Sequence, residues 1–404
     1  MDPLLSIVVP TKNRYYYLNF LVQYFHSIDS DKIELIIQDN SDSETDPEFL
    51  EFLDTINDHR IKYFYSSLEL SQAENCDQAI LKASGEYITL LGDDDIFSKH
   101  LIEFIEICKN KSVDAILPIK GTYTWPDVQP RFYKNNLSGI YRLSNFSGKQ
   151  HKVDVISQLV KVIAVGGTNI LKLPRVYHGV IKRTILEQIF EESGSYFPGP
   201  SPDMANAIAL CKYPISYISV DIPLIISGQS ISSAGGKGAQ GQHFGEIDKI
   251  RQLPKNTAAN WTNKVPFYWS GNTIYAESVV KALKRMNMAE FLLKFNYEYL
   301  YATCLVFDRN YSERVKKIID QQNPGSLNLR RLRIKFYFIL IWLKRILFHL
   351  NNNLILVMPD FFKQNNTVFQ LKNILEVATI NDELIKKKLN YLKQGSQGNH
   401  RSQF

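Results

Sequence analysis

Two acidic clusters hold the residues of this chain best suited to chemistry, and each follows a short apolar run. Gly92-Asp93-Asp94-Asp95 comes directly after Tyr87 to Leu91, and Asp39-Asn40-Ser41-Asp42 lies just beyond Ile33 to Ile37. The carboxylates of Asp93, Asp94 and Asp95 are close enough to repel one another unless a cation joins them. Their hard oxygens select Mg2+ or Mn2+, which commonly complete their shell with diphosphate oxygens. The competing account of the triplet is an acidic, solvated turn that caps the helix after it. Spacing alone weighs the two equally.

The surrounding elements give the clusters a common place. Leu4 to Val9 predicts a strand buried on both faces and ended by Pro10, followed by a helix from Tyr15 to Ile28. Strands follow at 33–37, 61–65, 87–91 and 113–117, with helices at 49–56, 72–83 and 101–108 between them. Gly85 reads as the stop of the third helix. Short strands alternating with longer helices predict a parallel sheet with right-handed crossovers. Ligands of such sheets bind beyond the carboxyl ends of the strands, where both acidic clusters lie. From 120 to 225 the pattern loosens, with a helix at 153–165, a Tyr177-His178-Gly179 segment, a helix at 204–211 and a strand at 218–226. Residues 227–245 are rich in glycine and serine, in the manner of an active-site lid.

Composition narrows the class. With 404 residues, 45% of them hydrophobic and 22% charged, the chain is a folded protein of two to three domains rather than a disordered one. A net charge of +6 is too mild to imply nucleic acid. Cys76, Cys108, Cys211 and Cys304 lack metal-ligand spacing and read as thiols of a reducing compartment. The first residues do not resemble an export signal, and no apolar run reaches the ~18 residues of a membrane span. The expected setting is cytoplasmic, either soluble or peripheral on the inner face of the membrane.

Three ordered motifs carry a resemblance. Ser6 to Arg14 (SIVVPTKNR), Leu35 to Ser43 (LIIQDNSDS) and Asn75 to Ile88 running into Leu91-Gly-Asp-Asp-Asp95 resemble glycosyltransferase family 2, of the GT-A fold. The resemblance covers residues 4 to about 118 and weakens towards 225. It implies an inverting, metal-dependent transferase that moves a sugar from a UDP-linked donor to a lipid-linked or glycan acceptor in bacterial surface polysaccharide synthesis. By the same resemblance Pro10, Thr11, Arg14 and Asp39 hold the nucleotide, and Asp93 and Asp94 contact the donor, the first facing the ribose. Asp95 is then the direct ligand of Mn2+ or Mg2+, and His243 a candidate to join it. Many relatives carry arginine directly before the residue matching Asn75, where this chain has Glu74.

Such a transfer needs a carboxylate to take the acceptor hydroxyl proton. The family places it at a helix start about a hundred residues after the metal motif, where Asp203 stands in Pro200-Ser-Pro-Asp203. Asp203 also suits a plain role at a helix start. Glu191 and Glu192 are weaker candidates for the base. His243 equally suits a surface position, Lys237 is a candidate to neutralise the leaving diphosphate, and Tyr177 and His178 either line the acceptor site or pack.

The expected organisation is an α/β catalytic domain over 1–225, a lid and linker over 226–260 and a helical region over 261–404. Competing functions are a non-catalytic nucleotide-sugar-binding subunit and a nucleotidyltransferase. One stretch stands outside the resemblance. Residues 321–359 contain no Asp or Glu, whereas 330–349 hold Arg330, Arg331, Arg333, Lys335, Lys344 and Arg345 among large apolar residues. On a helix, Phe336, Ile339, Leu343, Ile346 and Leu350 form one stripe, which either lies on an anionic membrane or packs on the catalytic domain.

Overall fold

A computed structural model describes residues 2–42, 46–128, 138–233, 236, 244–321, 327–357 and 367–397. The first half alternates as expected: β1 (Leu5–Thr11), α1 (Tyr15–His26), β2 (Ile33–Asp39), α2 (Pro47–Ile56), β3 (Ile61–Tyr65), α3 (Gln72–Ile80), β4 (Tyr87–Leu90), β5 (Ile96–Phe97), α4 (His100–Asn110) and β6 (Ala115–Thr124). Then come β7 (Ile140–Arg142), β8 (Gln150–Lys152), α5 (Val155–Ala164), β9 (Val180–Lys182), α6 (Arg183–Ser193), α7 (Pro202–Leu210) and β10 (Tyr217–Gln229). The remainder comprises β11 (Phe244–Gly245), β12 (Trp269–Ser270), α8 (Gly271–Arg285), α9 (Ala289–Leu292), α10 (Tyr297–Phe307), α11 (Ser312–Gln321), α12 (Leu327–Val357), β13 (Thr367–Val368) and α13 (Ile374–Gln397).

The main sheet runs β3-β2-β1-β4-β9-β6-β7-β13, with β10 joined to β6, β5 and β8. The expected wholly parallel sheet is corrected to a mixed one. β9 enters antiparallel between β4 and β6, and β7 and β13 add antiparallel pairs at one side. Pro10 does not end β1, as the sequence implied. The β1–β4 pairing stops at Val8, so no neighbour on that side needs the missing N–H of Pro10, while pairing with β2 continues to Thr11. Nor does Gly85 close α3, which ends at Ile80. A Cβ at Gly85 would lie 2.6 Å from the Ser6 nitrogen, and the Gly85 N–H donates to Ser6 Oγ. Close approach of two backbones requires that glycine.

Alternation along the strands divides the core in two. Leu5, Ile7 and Val9 face the layer of α1, α4 and α13, while Val8, Ile36 and Leu90 face that of α3, α6, α7, α8 and α10. Register carries the ends of the central strands to one edge: Thr11 pairs with Asp39, and Val8 with Leu90. Both acidic clusters therefore meet at that edge.

Candidate active site

Asp39 closes β2 in full burial. Its Oδ2 accepts from the hydroxyls of Tyr15 and Tyr63, and its Oδ1 from the backbone N–H and hydroxyl of Ser41. Thr11, opposite it in register, donates to Asp93 Oδ2 at 2.7 Å. Asn75 donates weakly to the Thr11 and Gln38 carbonyls, so α3 is tied to both strand ends. Glu74, where relatives carry arginine, forms a reciprocal cap with Ser71 at the start of α3.

The triplet is buried, which corrects the solvated-turn account. Arg14 bridges the first two acids, with Nη1 2.9 Å from Asp93 Oδ1 and Nη2 2.8 Å from Asp94 Oδ2. Burial pushes the Asp93 carboxyl up to about 7 against the pull of Arg14, and Asp94 is raised for the same reason. Asp94 also accepts from the N–H and hydroxyl of Ser230, which anchors the start of the glycine- and serine-rich stretch. Gly228 lies against the turn, where a Cβ would come within 1.7 Å of the Asp94 carbonyl oxygen, and its N–H donates to Asp95 Oδ1 at 2.8 Å.

Asp95 differs from its neighbours. Its Oδ2 accepts from the Gly92 N–H at 2.7 Å and lies 2.6 Å from His178 Nε2. Burial would raise this carboxyl, yet His178 and the N–H groups of Gly92 and Gly228 hold it below the ordinary range. On the far side of the ring, Lys120 Nζ stands 3.0 Å from His178 Nδ1. A lysine is only a donor, so Nδ1 accepts and the ring proton sits on Nε2, facing Asp95. Burial lowers the pKa of this imidazole against the opposing pull of Asp95. His178 has φ +58, a conformation rare outside glycine, and Tyr177 stacks on its ring. The sequence reading named His178 but missed its pairing with Asp95, Lys120 altogether, and Ser230. A local signal was the glycine at 179, where a Cβ would meet the Arg175 carbonyl at 2.1 Å.

Asp203 is the second residue of α7, and Ser201 occupies the cap position. The Asp203 carboxylate accepts from the Tyr275 hydroxyl of α8 at 3.2 Å and remains partly open to solvent. Its charge acts on Lys120, Arg175, Tyr177 and His178, the groups around Asp95. Glu191 and Glu192 lie exposed on α6, where Glu192 pairs with Lys212. His243 and Lys237 fall outside the described residues.

The residues fit a divalent cation in part. Asp95 offers a carboxylate oriented by the Nε2–H of His178, while Asp93 Oδ1 is engaged by Arg14. Among the described residues no group of three or more His, Cys, Asp or Glu is arranged to hold a metal. Substrate phosphates would therefore supply much of the shell, as Mg2+ and Mn2+ sites allow.

Over 94 residues the chain is 33% identical to the GalNAc(5)-diNAcBac-PP-undecaprenol beta-1,3-glucosyltransferase of Campylobacter jejuni, covering 23% of this chain and 30% of that protein. It is 28% identical over 159 residues to the putative colanic acid biosynthesis glycosyl transferase WcaA of Escherichia coli, covering 34% of this chain and 55% of that one. The chain thus spans about half or less of the length of these curated relatives. Staphylococcus aureus TarS 1–349, solved with UDP-GlcNAc, superposes over 84% of this chain and 89% of its own at TM-score 0.43 and 14% identity. The family model described as Glycosyl transferase family 2 matches residues 6–183, which include Thr11, Asp39, the acidic triplet and His178. The mixed α/β sheet is of the GT-A kind. Residues 6–183 of this chain thus match glycosyl transferase family 2.

Proposed function

We propose that this chain is an inverting glycosyltransferase that moves a sugar from a UDP-linked donor to a lipid-linked saccharide acceptor in bacterial surface polysaccharide synthesis. One observation supports the reading: Asp203, partly open and held by Tyr275, lies near enough for its charge to act on His178, the partner of Asp95. The undecaprenol-linked name of the C. jejuni relative supports a lipid-linked acceptor, and WcaA supports surface polysaccharide as the setting.

In the reaction, the Asp203 carboxylate takes the proton of the acceptor hydroxyl as its oxygen bonds to the anomeric carbon. The bond from that carbon to the diphosphate oxygen breaks on the opposite face, and its electron pair leaves with the nucleotide. Asp95, oriented by His178, would hold the divalent cation, which when bound neutralises charge on the departing diphosphate. Arg14 keeps Asp93 and Asp94 in place beside Thr11, and Tyr275 orients the base.

Incubation with a panel of nucleotide sugars, Mn2+ and a polyprenyl-diphosphate saccharide tests the proposal. Acceptor-dependent release of nucleoside diphosphate and an anomerically inverted product are expected. Binding without turnover would instead favour a nucleotide-sugar-binding subunit, and pyrophosphate formation a nucleotidyltransferase.

A second measurement concerns the base pocket. Asp39→Ala should weaken UDP binding by roughly 10- to 100-fold, the loss of a charged hydrogen bond to a base N–H. Asp39 already serves two tyrosine hydroxyls, so the base N–H must replace one of them. Tyr15→Phe removes one competitor and should leave UDP affinity unchanged or improved. Calorimetry showing unaltered affinity for Asp39→Ala would place the base elsewhere.

A further inference from the structure

Helix α12 has two apolar faces, and the protein covers one. Ile334 and Ile341 are buried, and Tyr337 and Phe338 are partly buried against the core cluster that includes α10. The Arg345 guanidinium lies over the Phe307 ring and donates to the Val306 carbonyl, which fixes the same face. The opposite face carries Leu329, Leu332, Phe336, Ile339, Leu343, Leu347 and Leu350, between 45% and 73% exposed. The stripe seen in the sequence, Ile346 apart, thus points away from the body, and packing on the catalytic domain does not account for it. A line of seven large apolar side chains on an otherwise ordinary surface marks an interaction site.

Charge identifies the occupant. At helical spacing Arg331 and Lys335 flank the apolar line on one side, and Arg333 and Lys344 on the other, all exposed. Asp320 pairs with Arg331, and Glu298 lies 3.4 Å from Arg330 and Arg333. Residues 321–359 themselves contain no acid. A second copy laid along the same line would set Arg333 and Lys335 beside like charges, without the opposite-charge pairs that stabilise coiled coils. A surface of negative headgroups over hydrocarbon satisfies both parts of the pattern. Beside the covered face lies a cleft of about 350 Å3, lined among others by Asp308, Arg309, Tyr311, Trp342, Arg345 and His349, with Asp308 itself held by Tyr268, Ser270 and Asn272. Its cations and aromatic rings suit a lipid phosphate and the glycerol region beneath it.

We propose that α12 lies in the plane of an anionic phospholipid bilayer, with the Leu329–Leu350 line in the acyl boundary and the basic shoulders among headgroup phosphates. The helix docks rather than crosses, since among the described residues no helix is long and apolar enough to span a membrane. The inference rests on the helix alone and is read without turnover, so it stands or falls separately from the transferase proposal.

Flotation of the full chain with phosphatidylcholine vesicles containing increasing phosphatidylglycerol provides the test. Wild-type protein should float with the anionic vesicles and release as salt rises. Lys335→Glu with Lys344→Glu leaves the pairs to Asp320 and Glu298 intact and should reduce partitioning at least tenfold, while Lys335→Arg with Lys344→Arg retains it. Leu343→Asp should abolish flotation with an unchanged melting temperature and far-ultraviolet spectrum, because its side chain leaves the buried face untouched. Failure of the wild-type protein to float at low salt would overturn the proposal. So would equal binding to pure phosphatidylcholine unaffected by charge reversal. A lipid-independent dimer split by Leu343→Asp, with no flotation, would assign the face to a second copy.

Discussion

Asp203→Asn should lower kcat by on the order of 10²-fold or more and leave UDP affinity within a few-fold. The amide keeps the size of the acid and its hydrogen bond from Tyr275, but it cannot take a proton from the acceptor. Ser201 already occupies the cap position of α7, so the change leaves that part of the helix start intact. Tyr275→Phe supplies the graded control. It preserves the carboxylate and removes its orienting partner, so a smaller loss in kcat is expected. Single-turnover rates with a fixed donor separate the two, and an Asp203→Asn enzyme within a few-fold of wild type would reduce Asp203 to a helix-start residue.

For Asp95→Ala the expected result is complete loss of turnover. Asp95 is the acid that touches His178, and its replacement removes the candidate carboxylate ligand of the cation. It also strands the buried N–H groups of Gly92 and Gly228, so the melting temperature should fall as well. Asp95→Asn keeps an acceptor in the cluster and separates chemistry from folding: it should melt closer to wild type yet remain inactive. Wild-type activity should disappear in EDTA and return with Mn2+ or Mg2+. Full activity in chelator would remove the metal from the mechanism, whatever the variants do.

The central strands and the acids at their ends were legible because buried parallel strands leave continuous apolar runs, as Leu5 to Val9 and Ile33 to Ile37 do. β7, β9 and β13 were not, since two or three residues carry no period and take their place from neighbours far away in the chain. The Asp95–His178 pair joins residues 83 apart through a left-handed turn, at which the only local hint is the glycine at 179. Helix α12 was legible as an element, and its stripe was found. Which face the body covers depends on α10, whose contribution only the folded chain reveals.

The attachment of α13 has a consequence for synthesis. Val377, Ala378 and Ile385 complete the core layer begun by Leu18, Phe25 and Leu101. Asn381 joins Tyr141 and the Pro223 carbonyl, and Asp382 joins Ser98 and Tyr24. A ribosome that has finished α4 must therefore add about 275 more residues before that layer is closed, roughly 14 to 55 s at bacterial-to-eukaryotic elongation rates. Throughout that interval the nascent sheet displays an uncovered apolar flank, a substrate for trigger-type chaperones. A fragment ending before Ile374 would display it permanently, so its soluble yield should fall below that of the full chain even though the proposed reacting groups all lie before that helix.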